Sequence, residues 1–301
     1  MGAMRLGDWK SAGRIFSFEG HRIFYRDEGA GEVLLCLHGF PTSSWDWSHL
    51  WPQLTPLFRV VAPDLLGYGF SDKPSRHEYS LLEQATLVER LMESLGLPHA
   101  HVLSHDFGVS VVQELLARQL EHEHAGQPGL VLRSSCFLNG GLFPEVYQPR
   151  LIQRLLASPV GALVARFVTQ RSFERSFTAV FGERTRPSKE ELKEFWEVIT
   201  YNGGSRLAHR HIRFMAERVR YRERWTGALL RTRVPLRMVN GAADPVSGAH
   251  MAARYREIIP HPDIVSLEGI GHYPMVEAPQ AVLEALLAFA AVAPPGGHGR
   301  S

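Results

Sequence analysis

The sequence predicts an α/β fold: a mostly parallel sheet flanked by helices, with one helical insertion. Three observations carry this. Short apolar runs alternate with stretches of helical period at both ends of the chain. One of those runs, Val33–Leu37, is apolar throughout rather than alternating, as a strand buried on both faces is. From Leu142 to about Trp225 the strands stop and only helical patterning remains.

Taken in order, Arg14–Phe18 and His21–Tyr25 read as paired strands around a Glu19-Gly20 turn, and Gly29 to Gly31 close a second turn. Val33–Leu37 runs into His38-Gly39-Phe40-Pro41 and a Trp-rich helix ending at Leu54. Arg59–Ala62 is a short strand leading into Pro63-Asp64-Leu65-Leu66-Gly67-Tyr68-Gly69-Phe70-Ser71-Asp72. Ser80 to Leu95 carries an apolar helical stripe that Gly96 and Pro98 terminate. His101–Ser104 is a strand, followed by an amphipathic helix to Gln119, a polar loop over Glu121–Gly129 and the strand Leu130–Leu138. Within the insertion, Ser188-Lys189-Glu190-Glu191 is a helix start. Strand Pro235–Asn240, helix His250–Ile259, strand Ile264–Leu267 and helix Pro279–Ala290 restore the alternation. Residues 1–141 and 227–293 are therefore expected to form one unit, 142–226 a helical cap, and 294–301 a disordered tail. Open α/β sheets bind ligands at the carboxyl ends of their strands, where a late insertion would lie as a cover.

Composition narrows the function classes. A chain of 301 residues that is 45% hydrophobic and 21% charged can bury a sizeable globular core. A formal net charge of +2 supplies no footprint for nucleic acid. The one basic concentration, Arg213 to Arg233, reads as a solvated helix face. Cys36 and Cys136 fall within apolar runs and read as buried free thiols, with neither a disulfide framework nor metal spacing. A reducing, cytoplasmic setting is the expectation, since the first residues lack an apolar signal core. The apolar segment Ala285–Ala293 is too short to span a bilayer, so no stable membrane insertion is expected.

The chemistry centres on Ser104-His105-Asp106-Phe107-Gly108, between the strand at His101–Ser104 and its helix. The pentad matches the nucleophile elbow of α/β-hydrolases, with aspartate where serine usually stands. Small residues at Ser104 and Gly108 let the turn close and hold Asp106 at the helix N-terminus as a carboxylate nucleophile. Such a nucleophile forms an ester of the protein itself, so a base must activate water. Asp244 and His272 follow strands in the expected order, in Gly241-Ala242-Ala243-Asp244-Pro245-Val246 and Gly269-Ile270-Gly271-His272-Tyr273-Pro274. A neutral imidazole takes a proton from water near pH 7, and Asp244 would orient and stabilise it. The amides of Phe40 and Phe107 are placed to form an oxyanion hole. His38 is read as a structural hydrogen-bonding residue, and Asp64 as fixing its loop. Gly67-x-Gly69-x-Ser71 opens no helix and is not a dinucleotide fingerprint. His122 and His124 fall in the polar loop, and His209 and His211 on opposing faces of the Arg-rich helix. Trp45, Trp47 and Trp51 are core candidates, with Trp45 also able to line the site.

Together His38-Gly39-Phe40-Pro41, Gly67-Tyr68-Gly69-Phe70-Ser71, His105-Asp106-x-Gly108 and Gly271-His272 resemble the epoxide hydrolase and haloalkane dehalogenase branch of α/β-hydrolases, over about Trp9 to Phe289. The resemblance implies an α/β-hydrolase fold with an eight-stranded sheet, a cap domain over it and no cofactor. It also implies a small apolar epoxide or related electrophile as substrate, with water as the second reactant. Two departures narrow this. The dehalogenase pattern places a Trp after the nucleophile and an Asn in the oxyanion loop or a cap Trp, where this chain has Phe107 and Phe40. Trp196 or Trp225 could supply one indole donor, but not the pair. The epoxide hydrolase pattern uses two cap tyrosines as proton donors, and between Tyr147 and Tyr201 there are none, leaving Tyr201 and Tyr221 as candidates. Trp45, Phe107 and Trp196 are the expected substrate contacts. Epoxide hydrolysis to a vicinal diol is the leading expectation. A dehalogenase with atypical halide ligands and a non-catalytic binding protein on the same scaffold are the alternatives.

Overall fold

A computed structural model describes residues 4–292; the tail expected to be disordered, 294–301, lies outside the described residues. The chain opens on α1 (Leu6–Ser11) and the hairpin β1 (Arg14–Phe18) and β2 (His21–Glu28), followed by β3 (Val33–Leu37), α2 (Trp51–Leu54) and β4 (Arg59–Pro63). Next come α3 (Leu81–Ser94), β5 (His99–Ser104), α4 (Phe107–Ala125) and β6 (Val131–Leu138). Seven helices then intervene: α5 (Leu151–Ala157), α6 (Gly161–Arg166), α7 (Gln170–Thr178), α8 (Lys189–Thr200), α9 (Ala208–His211), α10 (Phe214–Arg220) and α11 (Arg222–Arg231). Among the described residues the chain closes with β7 (Leu236–Gly241), α12 (Ala249–Ile258), β8 (Asp263–Leu267), α13 (Pro274–Glu277) and α14 (Pro279–Val292).

The sheet has eight strands in the order β1-β2-β4-β3-β5-β6-β7-β8. β1, β2 and β4 pair antiparallel, and every other neighbouring pair is parallel. The central β3 and β5 are apolar because helices cover both sheet faces, and Leu34, Leu35, Cys36 and Leu37 are all fully buried. Parallel order has a functional consequence: the segments following β5, β6, β7 and β8 all leave the same sheet edge. The helical starts follow side-chain chemistry. Ser80 caps α3 by accepting from the Leu82 amide at 3.2 Å. Ser188 and Glu191 form a reciprocal capping box on α8, as the sequence motif requires.

Several elements differ from expectation. Leu6–Ser11 folds into a helix that periodicity alone did not reveal, because its determinant is tertiary. Trp9 is fully buried, lies edge-on to Trp45 and Trp51, and donates to Ser44 Oγ at 3.3 Å. The Trp-rich stretch is one 3-10 turn over Ser44–Trp47 and the single turn α2, not one helix. Asp64 takes the Ser44 amide at 2.8 Å and the Phe70 amide at 2.6 Å, so it ties that turn to the following loop, as expected. His122 and His124 are not in a loop but in the last turns of α4, which runs on to a left-handed Gly126. The boundary expected between 226 and 227 falls inside the continuous helix α11, which docks on α4 through Trp225 and Arg224 to Glu114.

Candidate active site

Asp106 sits between β5 and α4 with φ 40° and ψ −99°, a conformation that a non-glycine residue adopts only where its surroundings enforce it. The enforcement is visible. The Asp106 amide donates to the Asn139 carbonyl at 2.9 Å, the His105 amide to Leu37, and the Gly108 amide to His38. A Cβ on Gly108 would collide with the Leu37 carbonyl, so the turn closes only with glycine there. Phe40 donates its amide to Asp106 Oδ2 at 3.2 Å. The Phe107 amide, at the first position of α4, has no partner among the described residues. His38 is locked as a neutral tautomer: Nε2 accepts from the Leu65 amide at 3.0 Å, so Nδ1 donates to the Gly39 carbonyl at 2.9 Å. Burial lowers its pKa.

At the ends of β7 and β8, His272 Nδ1 lies 2.7 Å from Asp244 Oδ2. Asp244 is itself held by the Val246 and Ser247 amides, the Ser247 hydroxyl and Asn139 Nδ2 at 2.7–3.0 Å. Asn139 also joins the Gly241 amide and carbonyl, so one amide side chain at the end of β6 aligns β7 with the acid. Glu277 gathers the Gly271, Tyr273 and Gly182 amides at 2.7–3.0 Å and thereby fixes the loop that carries His272. Gly271 must lack a Cβ because the Val180 carbonyl and Gly182 amide press against it. His105, next to Asp106, completes the frame by bonding its Nε2 to the His272 carbonyl at 2.8 Å.

The pair is strongly polarised. Burial disfavours the His272 cation, but Asp244 by charge and hydrogen bond, then Asp106 and Glu277, outweigh it and push its pKa up to about 9. Burial likewise opposes the Asp244 anion, and His272 with the donors around it brings that carboxyl down to about 2. A raised histidine adds stability that is whole below its unfolded value, about 6.5, and is lost as pH rises through the folded value. The melting-temperature gap between wild type and His272→Gln should therefore narrow by several degrees from pH 6.5 to 9.5. A gap that stays constant across that window would show that no imidazolium forms.

The sequence hid a third group. Arg218 on α10 is 1% exposed and reaches the elbow from the insertion. Its Nη2 donates to Asp106 Oδ1 at 3.2 Å and to the Asp106 carbonyl at 2.9 Å, and its Nε donates to Ser110 Oγ at 2.8 Å. The Arg-rich run is thus not uniformly a solvated face. Arg222 and Arg224 pair with Glu145 and Glu114, while Arg218 alone turns inward, one helical turn beyond Phe214. Phe214 packs on both Phe40 and Phe107, and the guanidinium lies 4.5 Å from its ring centroid. On its other side the guanidinium lies 5.1 Å from the Tyr147 ring. The Tyr147 hydroxyl accepts from Gln153 Nε2 at 3.0 Å, leaving its proton uncommitted. Burial, then the nearby Asp106 charge, raises its pKa.

A cavity of about 120 Å³ lies under the insertion, floored by Phe40 and His272 and walled by apolar side chains that include Phe173, Phe177, Trp196 and Ile199. Asp106 is 1% exposed and is not on that wall. Of the expected substrate contacts, only Trp196 lines the cavity. Trp45 belongs to the aromatic core with Trp9, and Phe107 packs between Tyr68 and Phe214. The two expected proton donors stand elsewhere. Tyr201 packs edge-on to Phe70 with Lys10 and Lys73 over its ring, and Tyr221 packs on Trp225. Neither lines the cavity: the Tyr201 ring is held by core–insertion contacts, and the Tyr221 ring by Trp225 one turn further along the insertion. Trp225 spends its indole N–H on Glu114 at 2.9 Å. His209 and His211 share the short helix α9, and His211 turns inward against Tyr68, where burial lowers its pKa to about 3. Cys36 and Cys136 are buried free thiols, and burial pushes Cys136 up to about 12.

Residues 34–285 match the model of the alpha/beta hydrolase family. The chain belongs to that family. It is 41% identical over 295 residues to the human mesoderm-specific transcript homolog protein, covering 94% of this chain and 87% of that one. LipZ of Mycobacterium tuberculosis is 40% identical over 284 residues, covering 94% and 96%. A soluble epoxide hydrolase of a Corynebacterium species is 27% identical over 292 residues, covering 90% and 94%. Among solved structures, a haloalkane dehalogenase from Bradyrhizobium elkani superposes with a TM-score of 0.77 at 23% identity, over 93% and 97% of the chains, a likeness of fold. Within this hydrolase, Asp106, Asp244 and His272 could be found from motif and order. Arg218, Tyr147, Asn139 and Glu277 could not. The one available signal was the four-residue spacing of Phe214 and Arg218, which six neighbouring arginines concealed.

Proposed function

We propose that this hydrolase opens epoxides through an ester on Asp106 and releases vicinal diols. The observation that carries the reading is a carboxylate, not a hydroxyl, held at the strained elbow with a backbone amide on one oxygen and a buried guanidinium on the other. Each Asp106 oxygen keeps a lone pair free. Oδ1 attacks an epoxide carbon, the C–O bond breaks, and the new alkoxide takes the uncommitted proton of Tyr147. Burial raises the pKa of Tyr147, and the alkoxide left by ring opening is a strong base that takes the phenol proton. Negative charge thereby moves from Asp106 to the Tyr147 oxygen; Arg218 pairs with Asp106 and packs against the Tyr147 ring.

Esterification also prepares the second half. The Asp106 charge is one of the supports of the His272 cation, so neutralising it lowers the His272 pKa and favours the neutral base. That base takes a proton from water, the hydroxide adds to the Asp106 carboxyl carbon, and the Phe40 and Phe107 amides hold the oxyanion. Collapse breaks the ester C–O bond, His272 returns its proton to the leaving alkoxide to give the diol, and the proton of the regenerated Asp106 carboxyl restores Tyr147. Residues 142–226 act as the cap over this chemistry and supply Arg218 and Trp196. Asp106 is off the cavity wall, so the cap opens to admit substrate.

An apolar wall fits a small apolar epoxide, and the distant kinship to a soluble epoxide hydrolase supports the same class. Dehalogenation is disfavoured: Phe107 has no ring N–H, and that of Trp225 is consumed by Glu114. Single turnover in ¹⁸O-water is the test. One heavy oxygen should appear on the Asp106 carboxylate, found by mass spectrometry of the peptide; label in the diol alone would show direct attack by water instead.

A further inference from the structure

We infer that α5 and α6 form a docking face for an anionic lipid surface. Their buried sides are narrow: Leu156 on α5, Gly161 and Ala165 on α6. Their outer sides are apolar where water would favour polar residues. Leu151 is 72% exposed and Leu155 stands four residues on; Leu163 is exposed, and Phe167, four residues beyond it, is 71% exposed. Val160 is exposed between them, so five of the large apolar side chains on the described surface fall within one short stretch. Single exposed leucines need no explanation, but two i, i+4 pairs on adjoining helices do.

Charge decides the occupant. From Arg150 to Arg171 there is no Asp, Glu or Lys, but there are four arginines: Arg150, Arg154, Arg166 and Arg171. All four are exposed, and none pairs with a carboxylate among the described residues. A second copy of this chain would bring the same four cations against themselves across a two-fold contact, which is repulsive. An anionic headgroup layer supplies the missing counter-charge, and its acyl region takes the leucines and Phe167. No described helix is long and apolar enough to cross a membrane, so the contact is peripheral and reversible.

The position of the face gives it a use. α5 presents Leu151 and Leu155 outward while its Ile152 and Leu156 line the cavity over His272. One helix therefore separates the lipid from the site, and an apolar substrate dissolved in the lipid has a short path inward. The docking itself does not depend on the reaction at Asp106, and the test reads binding alone.

The full chain should sediment with vesicles of phosphatidylcholine containing a third phosphatidylserine, and release in high salt. Leu163→Ser/Phe167→Ser should weaken binding at least ~tenfold through lost apolar burial. Arg154→Gln/Arg166→Gln should weaken it by roughly five-fold per residue on anionic vesicles and little on pure phosphatidylcholine. The proposal is overturned if wild type stays in the supernatant, or if neither double variant changes its partition. It is also overturned if sedimentation velocity shows a dimer that Leu163→Ser/Phe167→Ser dissolves, since the face would then join two copies.

Discussion

His272→Gln is expected to stop the protein after one half-reaction, with the substrate left attached to Asp106. In the proposed mechanism ester formation uses Asp106, Arg218 and Tyr147, none of which this change removes. Ester hydrolysis needs a base on the nitrogen of His272 that does not face Asp244, and glutamine has no titratable nitrogen to offer. Turnover should fall by roughly 10²–10⁴, the usual worth of a general base. Intact-mass analysis after mixing with an epoxide should show a stoichiometric gain of one substrate mass, mapped to the peptide containing Asp106. An inactive variant with no adduct under these conditions would place His272 in the first step and refute the assignment of roles.

Arg218→Met should be the second large effect, and on two readouts. Removing one partner of a buried ion pair leaves Asp106 uncompensated, which costs about 3–5 kcal/mol of stability. The rate of ester formation in single turnover should drop by roughly 10²–10³, as for the loss of one preorganised charge-stabilising donor. The rate of ester breakdown should change much less, because in the proposed mechanism the Phe40 and Phe107 amides and His272 carry that step. Arg218→Lys restores the charge but not the forked contact with the Asp106 carbonyl and Ser110, so it should recover melting temperature more fully than rate. If Arg218→Met melts early but forms the ester at the wild-type rate, Arg218 is a structural brace and no more.

How much of the site could be read without coordinates depended on where each residue's meaning resides. Asp106 was legible because an elbow needs small residues at fixed offsets, and a Cβ on Gly108 does collide with the Leu37 carbonyl. Asp244 and His272 were legible because a parallel sheet delivers successive loops to one edge, so chain order translates into proximity. Asn139 and Glu277 carry no such mark. Their roles arise from backbone amides and a carboxylate contributed by other loops, over separations of up to about a hundred residues. Tyr201 and Tyr221 looked suitable by position in the insertion, yet their rings are held by Phe70 and by Trp225.

The sequence by itself determined the α/β order, the sheet that follows from it, and the three residues at strand ends that belong to the hydrolase pattern. These are local matters: period, turn chemistry and order along the chain. Only the tertiary structure decided which arginine of a basic run is buried, which tyrosine ring that guanidinium packs against, and which tryptophan reaches the cavity. The reason is that helices in an insertion have no sheet to fix their rotation. Which face of α10 meets Asp106 is settled by packing Phe214 against Phe40 and Phe107, and Arg218 follows one turn later.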